Sequence, residues 1–236
     1  MQWHYIFHLA DDKTLQFDVE LEDKTLNFVT IPRSEYPEWA RLSFRQCSNC
    51  PLREQDHPQC PIAANLTNIT EHFHDIVSYA SVDMEIITQH RTYKKTVAVQ
   101  EALSSLIGLY MVTSGCPIMD KLRPLIKTHL PFASLGENTF RVVSMYLMAQ
   151  YFRERKGQKP DWNLEHLVKI YDDIQTVNRH FHRRITEFMS KDSVVNAIAR
   201  LDTYVEVARD GLLGQRLEDM EHLFDSYLSE PGNPES

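Results

Sequence analysis

The chain has 236 residues, of which 42% are hydrophobic and 25% charged, the balance of a folded protein with a full hydrophobic core. Its formal net charge of −8 argues against a nucleic-acid or anionic membrane surface as the main partner, because clustered Lys and Arg bind such surfaces. The N-terminus lacks a secretory signal pattern, and the longest apolar run, 102–112, is too short to span a bilayer. We therefore expect a cytoplasmic protein.

The N-terminal residues alternate between apolar and polar side chains, as half-buried β-strands do. Polar turns divide this pattern into runs at 2–9, 15–21 and 26–31, so we predict a three-stranded antiparallel meander. Another alternating run, at 82–86, predicts a fourth strand.

Most of the remaining chain has the apolar spacing of helices. We predict helices at 38–44, 62–79, 96–114, 119–129 and 138–155, the third of them central because it is apolar around most of its circumference. The last third begins with a heptad seam formed by Leu164, Leu167, Tyr171, Ile174, Asn178, Phe181, Ile185 and Phe188. Similar stripes follow at 194–208 and 213–227. The stripes predict a helical bundle within one chain, and a homodimer through the C-terminal helices stays open.

These patterns predict an α+β protein that is mainly α. An N-terminal antiparallel β meander and a cysteine knuckle would pack on a C-terminal helical bundle. We assign residues 1–60 to the meander and knuckle and 61–230 to the bundle, and expect one continuous compact unit. Residues 231–236 are expected to form a disordered tail.

Three of the four cysteines, Cys47, Cys50 and Cys60, lie close together in the sequence CSNCPLREQDHPQCP. The Cys-x-x-Cys spacing lets two thiolates bind one metal ion, and clustered cysteines in a reducing compartment are more often ligands than disulfides. The fourth ligand is either His57, in the same segment, or Cys116, just after a predicted helix. We favour Cys116, because a set of four cysteines would fasten the knuckle to the central helix.

Zinc is favoured over an iron–sulfur cluster, because zinc needs no redox partner and often closes small loops that lack a core of their own. The iron–sulfur interpretation stays open because Cys50, Cys60 and Cys116 each precede proline, a pattern that recurs in iron–sulfur ligation. The leading hypothesis is a non-enzymatic regulatory or interaction protein with a structural zinc site and an unknown protein partner. An iron–sulfur redox or sensor protein is the alternative.

A third hypothesis makes Cys116 the nucleophile of a thiol-dependent enzyme, with His129 as its base. It requires the two side chains to lie within hydrogen-bond distance of each other. The chain lacks the glycine-rich motifs of nucleotide-binding proteins and the G-x-S-x-G and H-E-x-x-H motifs of hydrolases. No familiar catalytic motif therefore supports an enzyme.

A basic cluster, NRHFHRR at 178–184, stands out in this acidic protein. It could bind a phosphate or an acidic partner, but its helical spacing favours a solvated helix face that flanks Phe181.

The sequences CSNCPL, SGCP and HLPFAS, which contain Cys47, Cys50, Cys116 and His129, resemble those of an uncharacterised bacterial family of unknown function. The resemblance extends over most of the chain and implies no particular activity.

Overall fold

A four-stranded antiparallel sheet forms the N-terminal side of the protein in the computed structural model, which describes residues 1–10, 12–29, 33–213 and 217–229. Its strands are β1 (Gln2–His8), β2 (Thr14–Glu20), β3 (Ser81–Thr88) and β4 (Thr92–Ala98), in the order β2-β1-β3-β4. Strand β1 is central, pairing Tyr5 with Phe17 of β2 on one side and Ile86 of β3 on the other. These three side chains are buried, so one sheet face belongs to the core.

The third strand predicted for the meander, at 26–31, is not formed within its described residues. Within the described part of the run at 26–31, only Phe28 forms a bridge, to Leu21. The Phe28 backbone N–H donates to Thr113 O at 3.0 Å, and its ring lies 4.7 Å from the Tyr110 ring. The Val29 N–H still donates to Glu20 O at 2.8 Å, so the segment touches only the end of β2 before it packs on the helix Val99–Thr113. Strand β3 pairs with the opposite edge of β1. The predicted fourth strand, at 82–86, is confirmed as β3.

Helices make up most of the remaining chain. They are α1 (Pro61–Phe73), α2 (Val99–Thr113), α3 (Leu135–Arg155), α4 (Glu165–Thr186), α5 (Ser193–Leu213) and α6 (Asp225–Leu228). Shorter 3-10 helices span Glu38–Ala40, Met119–Thr128 and Glu218–Phe224. The expected central helix is α2, which packs against α1, α5 and the sheet. None of the helices in the described residues is long and apolar enough to cross a membrane.

Several predicted helix bounds were wrong. The helix expected at 38–44 is only the 3-10 turn Glu38–Ala40, and α1 ends at Phe73 rather than near residue 79. The helix that Thr96 was expected to cap starts at Val99, because Thr96 belongs to β4 and donates a hydrogen bond to Asp83 on β3.

The heptad seam lies inside the protein. All of its members from Leu164 to Ile185 are buried, whereas Phe188, which follows α4, is exposed. Helix α4 packs along α5, whose Val194 and Ile198 are also buried. In the third stripe the described residues after 217 are not buried, and the tail predicted at 231–236 lies outside the described residues.

The predicted fold class, α+β and mainly α, is confirmed. The sheet takes two strands from residues 1–20 and two from 81–98, so it joins the segments that the sequence assigned to the meander and to the bundle.

Candidate metal centre

All four cysteines are brought to one region from three parts of the chain. Cys47 and Cys50 lie in the loop before α1, Cys60 immediately precedes α1, and Cys116 follows α2. The thiol of Cys47 is influenced electrostatically by those of Cys60, Cys116 and Cys50. Cys60 and Cys116 are buried and the other two are half-buried, and none forms a disulfide. The structure therefore groups Cys116 with the knuckle, as the four-cysteine interpretation requires.

Backbone contacts hold the knuckle in place. The Cys50 N–H donates to Cys47 O at 3.0 Å, which closes the Cys-x-x-Cys turn. The Cys60 N–H donates to Ala40 O at 2.8 Å, and the Asn49 side chain donates to Asp173 O on α4 at 3.0 Å. The loop is thus tied both to the 3-10 helix Glu38–Ala40 and to the bundle.

Two of the cysteines stand at matching Cys-Pro turns, Cys60-Pro61 and Cys116-Pro117. In each turn the backbone N–H groups two and three residues later face the cysteine sulfur and favour its thiolate. At Cys60 these contacts are looser than a helix-capping hydrogen bond. Pro61 suits its position because it opens α1, and the first turn of a helix does not need its N–H. The turns thus present amide dipoles to sulfur, as metal-bound thiolates need.

Burial opposes ionisation of the free thiols. It raises the pKa of Cys47 to about 12, with the neighbouring thiols adding to the effect. Burial also raises the pKa of Cys60 and of Cys116. At neutral pH these three thiols are therefore protonated unless a ligand displaces the proton, as a bound metal ion does.

Arg184 on α4 is the cationic group beside the thiols. It is 1% exposed, and its Nη1 donates to the backbone oxygens of Trp39 and Arg41, each at 2.7 Å. Among the described residues it has no ion pair with a carboxylate. The groups that favour its charged form are Cys60, Cys47 and Cys50. Since arginine stays protonated in proteins, a buried positive charge faces the thiols without a formal counter-charge.

Sequence reasoning missed Arg184 by placing the cluster at 178–184 on a solvated face. Arg184 is buried, whereas its neighbour Arg183 is exposed. The spacing contained a signal of this burial. Arg184 follows Phe181 by three residues, so it lies on the same helix face as this seam residue and directly before Ile185 of the seam.

The residues fit a metal ion in their chemistry, although the sulfurs do not surround a common point. Within the described part of the chain, no three Cys, His, Asp or Glu side chains lie close enough to share a metal. A tetrathiolate site therefore requires the four sulfurs to draw together. His57 is exposed and is not among the groups that shift the pKa of Cys47, Cys60 or Cys116. The surroundings thus favour Cys116 over His57 as the fourth ligand.

His129, the base of the thiol-enzyme hypothesis, is engaged elsewhere. Its Nε2 lies 2.7 Å from the Tyr5 hydroxyl, and its ring packs edge-on against Trp3 at 4.9 Å. No hydrogen bond joins it to Cys116 among the described residues, and it is not among the groups that shift the pKa of that thiol. The pairing that the hypothesis requires is not formed.

Burial lowers the pKa of His129 from 6.5 to about 3. The unfolded chain therefore binds the extra proton at a higher pH than the folded one, so stability falls as pH drops below about 6.5. We expect this residue alone to remove about 2 kcal/mol between pH 7 and pH 5. Urea unfolding of wild type and His129→Gln at both pH values measures the difference, and any metal loss in acid affects both proteins.

The exposed His90 provides the control. The free energy of unfolding of His90→Gln should fall between pH 7 and pH 5 by as much as that of the wild type. An equally steep decline in His129→Gln would contradict the assignment.

Residues 3–225 match the model of a family described as a domain of unknown function, DUF6901, so the chain belongs to this family. The resemblance to an uncharacterised family is thereby confirmed, while its bacterial origin stays a prediction. Neither a curated protein nor a solved structure matches the chain.

Proposed function

We propose that this member of the DUF6901 family is a non-enzymatic regulatory or interaction protein whose four cysteines hold a structural zinc ion. The observation that carries the proposal is the grouping of Cys47, Cys50, Cys60 and Cys116 in one region, with the buried guanidinium of Arg184 beside the first three. Structural zinc sites are closed by four protein ligands and leave no position for a substrate. A site of this composition therefore stabilises a fold rather than catalysing a reaction.

Charge supports a tetrathiolate in particular. Four thiolates and one Zn²⁺ carry a formal charge of about −2, which a buried environment tolerates only with compensation. Arg184 supplies one positive charge, and the amides at the two Cys-Pro turns supply partial ones. The metal would connect the knuckle, the start of α1 and the end of α2 beside α4. A reducing cytoplasm, where the thiols stay free of disulfides, fits this site.

An interaction role is supported by apolar side chains left exposed away from the metal centre. They lie near the end of α3 and in the C-terminal helices, at Met148, Tyr151, Phe152, Trp162, Leu223, Phe224, Tyr227 and Leu228. Exposed apolar patches on a folded chain are typical of partner surfaces. The partner would be a protein of unknown identity or a second copy of this chain, and the negative net charge disfavours nucleic acid or membrane.

An iron–sulfur redox or sensor centre is the alternative, because amide groups facing cysteine sulfur also stabilise such clusters. A thiol-dependent enzyme using Cys116 is the third candidate. It has less support, because Cys116 is buried and lacks a hydrogen bond to His129 among the described residues.

The test is the metal content and visible spectrum of the full chain, purified anaerobically without added metal, and of Cys47→Ser. We expect about one zinc per chain in a colourless wild type and a large loss in the variant. Bound iron and sulfide in a brown protein would show that the cysteines hold an iron–sulfur cluster instead of zinc. A metal-free wild type with a thiol that reacts rapidly with iodoacetamide at Cys116 would favour the third candidate.

A further inference from the structure

A cavity of about 230 Å³ lies in the helical part of the molecule, between α2, α3, α4, α5 and the 3-10 helix Met119–Thr128. Most of its wall is aliphatic, with Leu122, Val142 and Ile174 as examples. The volume exceeds the ~150 Å³ of an apolar cavity that binds benzene. It can therefore hold an organic molecule of roughly ten non-hydrogen atoms.

Polar groups without partners belong to this wall. The buried Nε of Arg141 and the buried Oδ1 of Asn178 have no hydrogen-bond partner among the described residues. The Tyr171 hydroxyl has none in this set either, although the residue is only 4% exposed. Buried polar groups are normally satisfied, so several unsatisfied ones around one cavity indicate a missing occupant.

The cavity wall carries one positive side chain, Arg141, whose charge is not balanced by a carboxylate among the described residues. Arg141 forms no ion pair among the described residues, since the nearby carboxylate of Glu137 accepts hydrogen bonds from Ser134. Glu101, the acidic residue on the wall, is already paired with Lys95 at 3.0 Å and Arg200 at 3.2 Å. An anionic ligand would thus meet an uncompensated guanidinium.

Arg141 is held in place for such a contact. Its Nη1 donates to Asn138 Oδ1 at 3.0 Å and its Nη2 to Leu125 O at 3.1 Å, which leaves Nε–H free. Tyr171 is near enough to interact electrostatically with Arg141. Burial raises the pKa of Tyr171, so its hydroxyl keeps the proton that it can donate. A carboxylate accepts through both oxygens and donates nothing, which matches two free donors.

We propose that this cavity binds a small carboxylic acid with an apolar body, its carboxylate between Arg141 and Tyr171 and its body against the aliphatic wall. This site is separate from the cysteines. Asn178, also on the cavity wall, follows Tyr171 by two helical turns, about 10 Å along α4. Its Oδ1 is buried and has no partner among the described residues, and we expect it to accept a hydrogen bond from the far end of the ligand.

The proposal gives the buried asparagine of the heptad seam a second interpretation. A polar residue in an apolar heptad seam often sets helix register. Asn178, however, lines a cavity, and its buried Oδ1 has no hydrogen-bond partner among the described residues. A ligand with a terminal hydroxyl would satisfy that oxygen and would bind more tightly than one without it.

Calorimetric titration of the full chain with hydrocinnamate, a phenyl-substituted acid that fits the cavity volume, tests the proposal. Its neutral amide, hydrocinnamamide, has nearly the same shape and is the matched ligand. We expect saturable binding of the acid and at least about tenfold weaker binding of the amide, because a charge-assisted hydrogen bond is lost.

Variants locate the binding site. Arg141→Gln should abolish the preference for the acid, and Tyr171→Phe, which removes one hydroxyl without changing the ring, should weaken acid binding about fivefold or more. Arg155→Gln, on the exposed end of α3, should bind as the wild type does. Equal binding of acid and amide, no saturable binding by the folded wild type, or wild-type affinity in Tyr171→Phe would overturn the proposal.

Discussion

Replacing Cys60 by serine is expected to release the metal and to lower the free energy of unfolding by at least about 3 kcal/mol. In the proposed site the metal would connect the knuckle, the start of α1 and the end of α2, so its loss would free segments that are far apart in sequence. For a chain of this length the change corresponds to a fall of roughly 10 °C in Tm. The hydrophobic core remains, so the metal-free protein should still unfold cooperatively.

A chelator separates the loss of the metal from the loss of a buried thiol. Chelation should lower the Tm of the wild type by about as much as Cys60→Ser does and should leave the Tm of the variant unchanged. His57→Ala is the matched control, because His57 is exposed in the same loop and should keep both metal and Tm. A wild type insensitive to chelation would show that the cysteines are inert core residues. Metal loss in His57→Ala would instead assign the fourth ligand to His57.

Substituting Arg184 with methionine should weaken metal binding at least tenfold, by about 1.4 kcal/mol or more. Methionine keeps a long unbranched stem but removes the charge that the thiolates face and the donors to Trp39 O and Arg41 O. Without metal the thiols of Cys47 and Cys60 are protonated and provide no counter-charge. The substitution should therefore destabilise the metal-loaded protein more than the metal-free one.

Competition with a zinc-binding dye measures the affinity, and denaturant unfolding with and without metal measures the stability difference. The adjacent Arg183→Met is the control, because Arg183 is exposed and should change neither quantity. Arg184→Met could instead lose the same stability with and without metal and keep its affinity for zinc. Arg184 would then only donate hydrogen bonds to the loop carbonyls.

Local patterns in the sequence predicted the parts of the site that depend on local spacing. The Cys-x-x-Cys knuckle and the nearby Cys60 are visible as a cluster, and Cys116 was joined to them by counting cysteines. Arg184 could not be found in this way, because charge normally places arginine in water and only the three-dimensional arrangement of thiols and carbonyls retains it inside. The cavity also depends on five separate elements, which no local pattern relates.

Local sequence patterns also predicted the strands of the sheet only in part. Its strand β3 has regular alternation and was predicted, whereas β4 carries Lys94 and Lys95 and was missed. Such residues suit an edge strand, where charge discourages further pairing, but they weaken the alternating pattern. The run at 26–31 was predicted as a strand because the alternating N-terminal pattern, divided by polar turns, extends to it. A third meander strand would pair along the outer edge of β2, but within the described residues the only bridge there is Leu21–Phe28, since the Phe28 N–H donates to Thr113 O at the end of α2.

The most direct measurement of the central claim is X-ray absorption at the zinc edge of the full chain as purified. A tetrathiolate of Cys47, Cys50, Cys60 and Cys116 predicts four sulfur neighbours at about 2.3 Å and no nitrogen or oxygen in the first shell. The same first shell should be found in His57→Ala. A shell with nitrogen or oxygen, or a folded protein that contains no metal, would contradict the account.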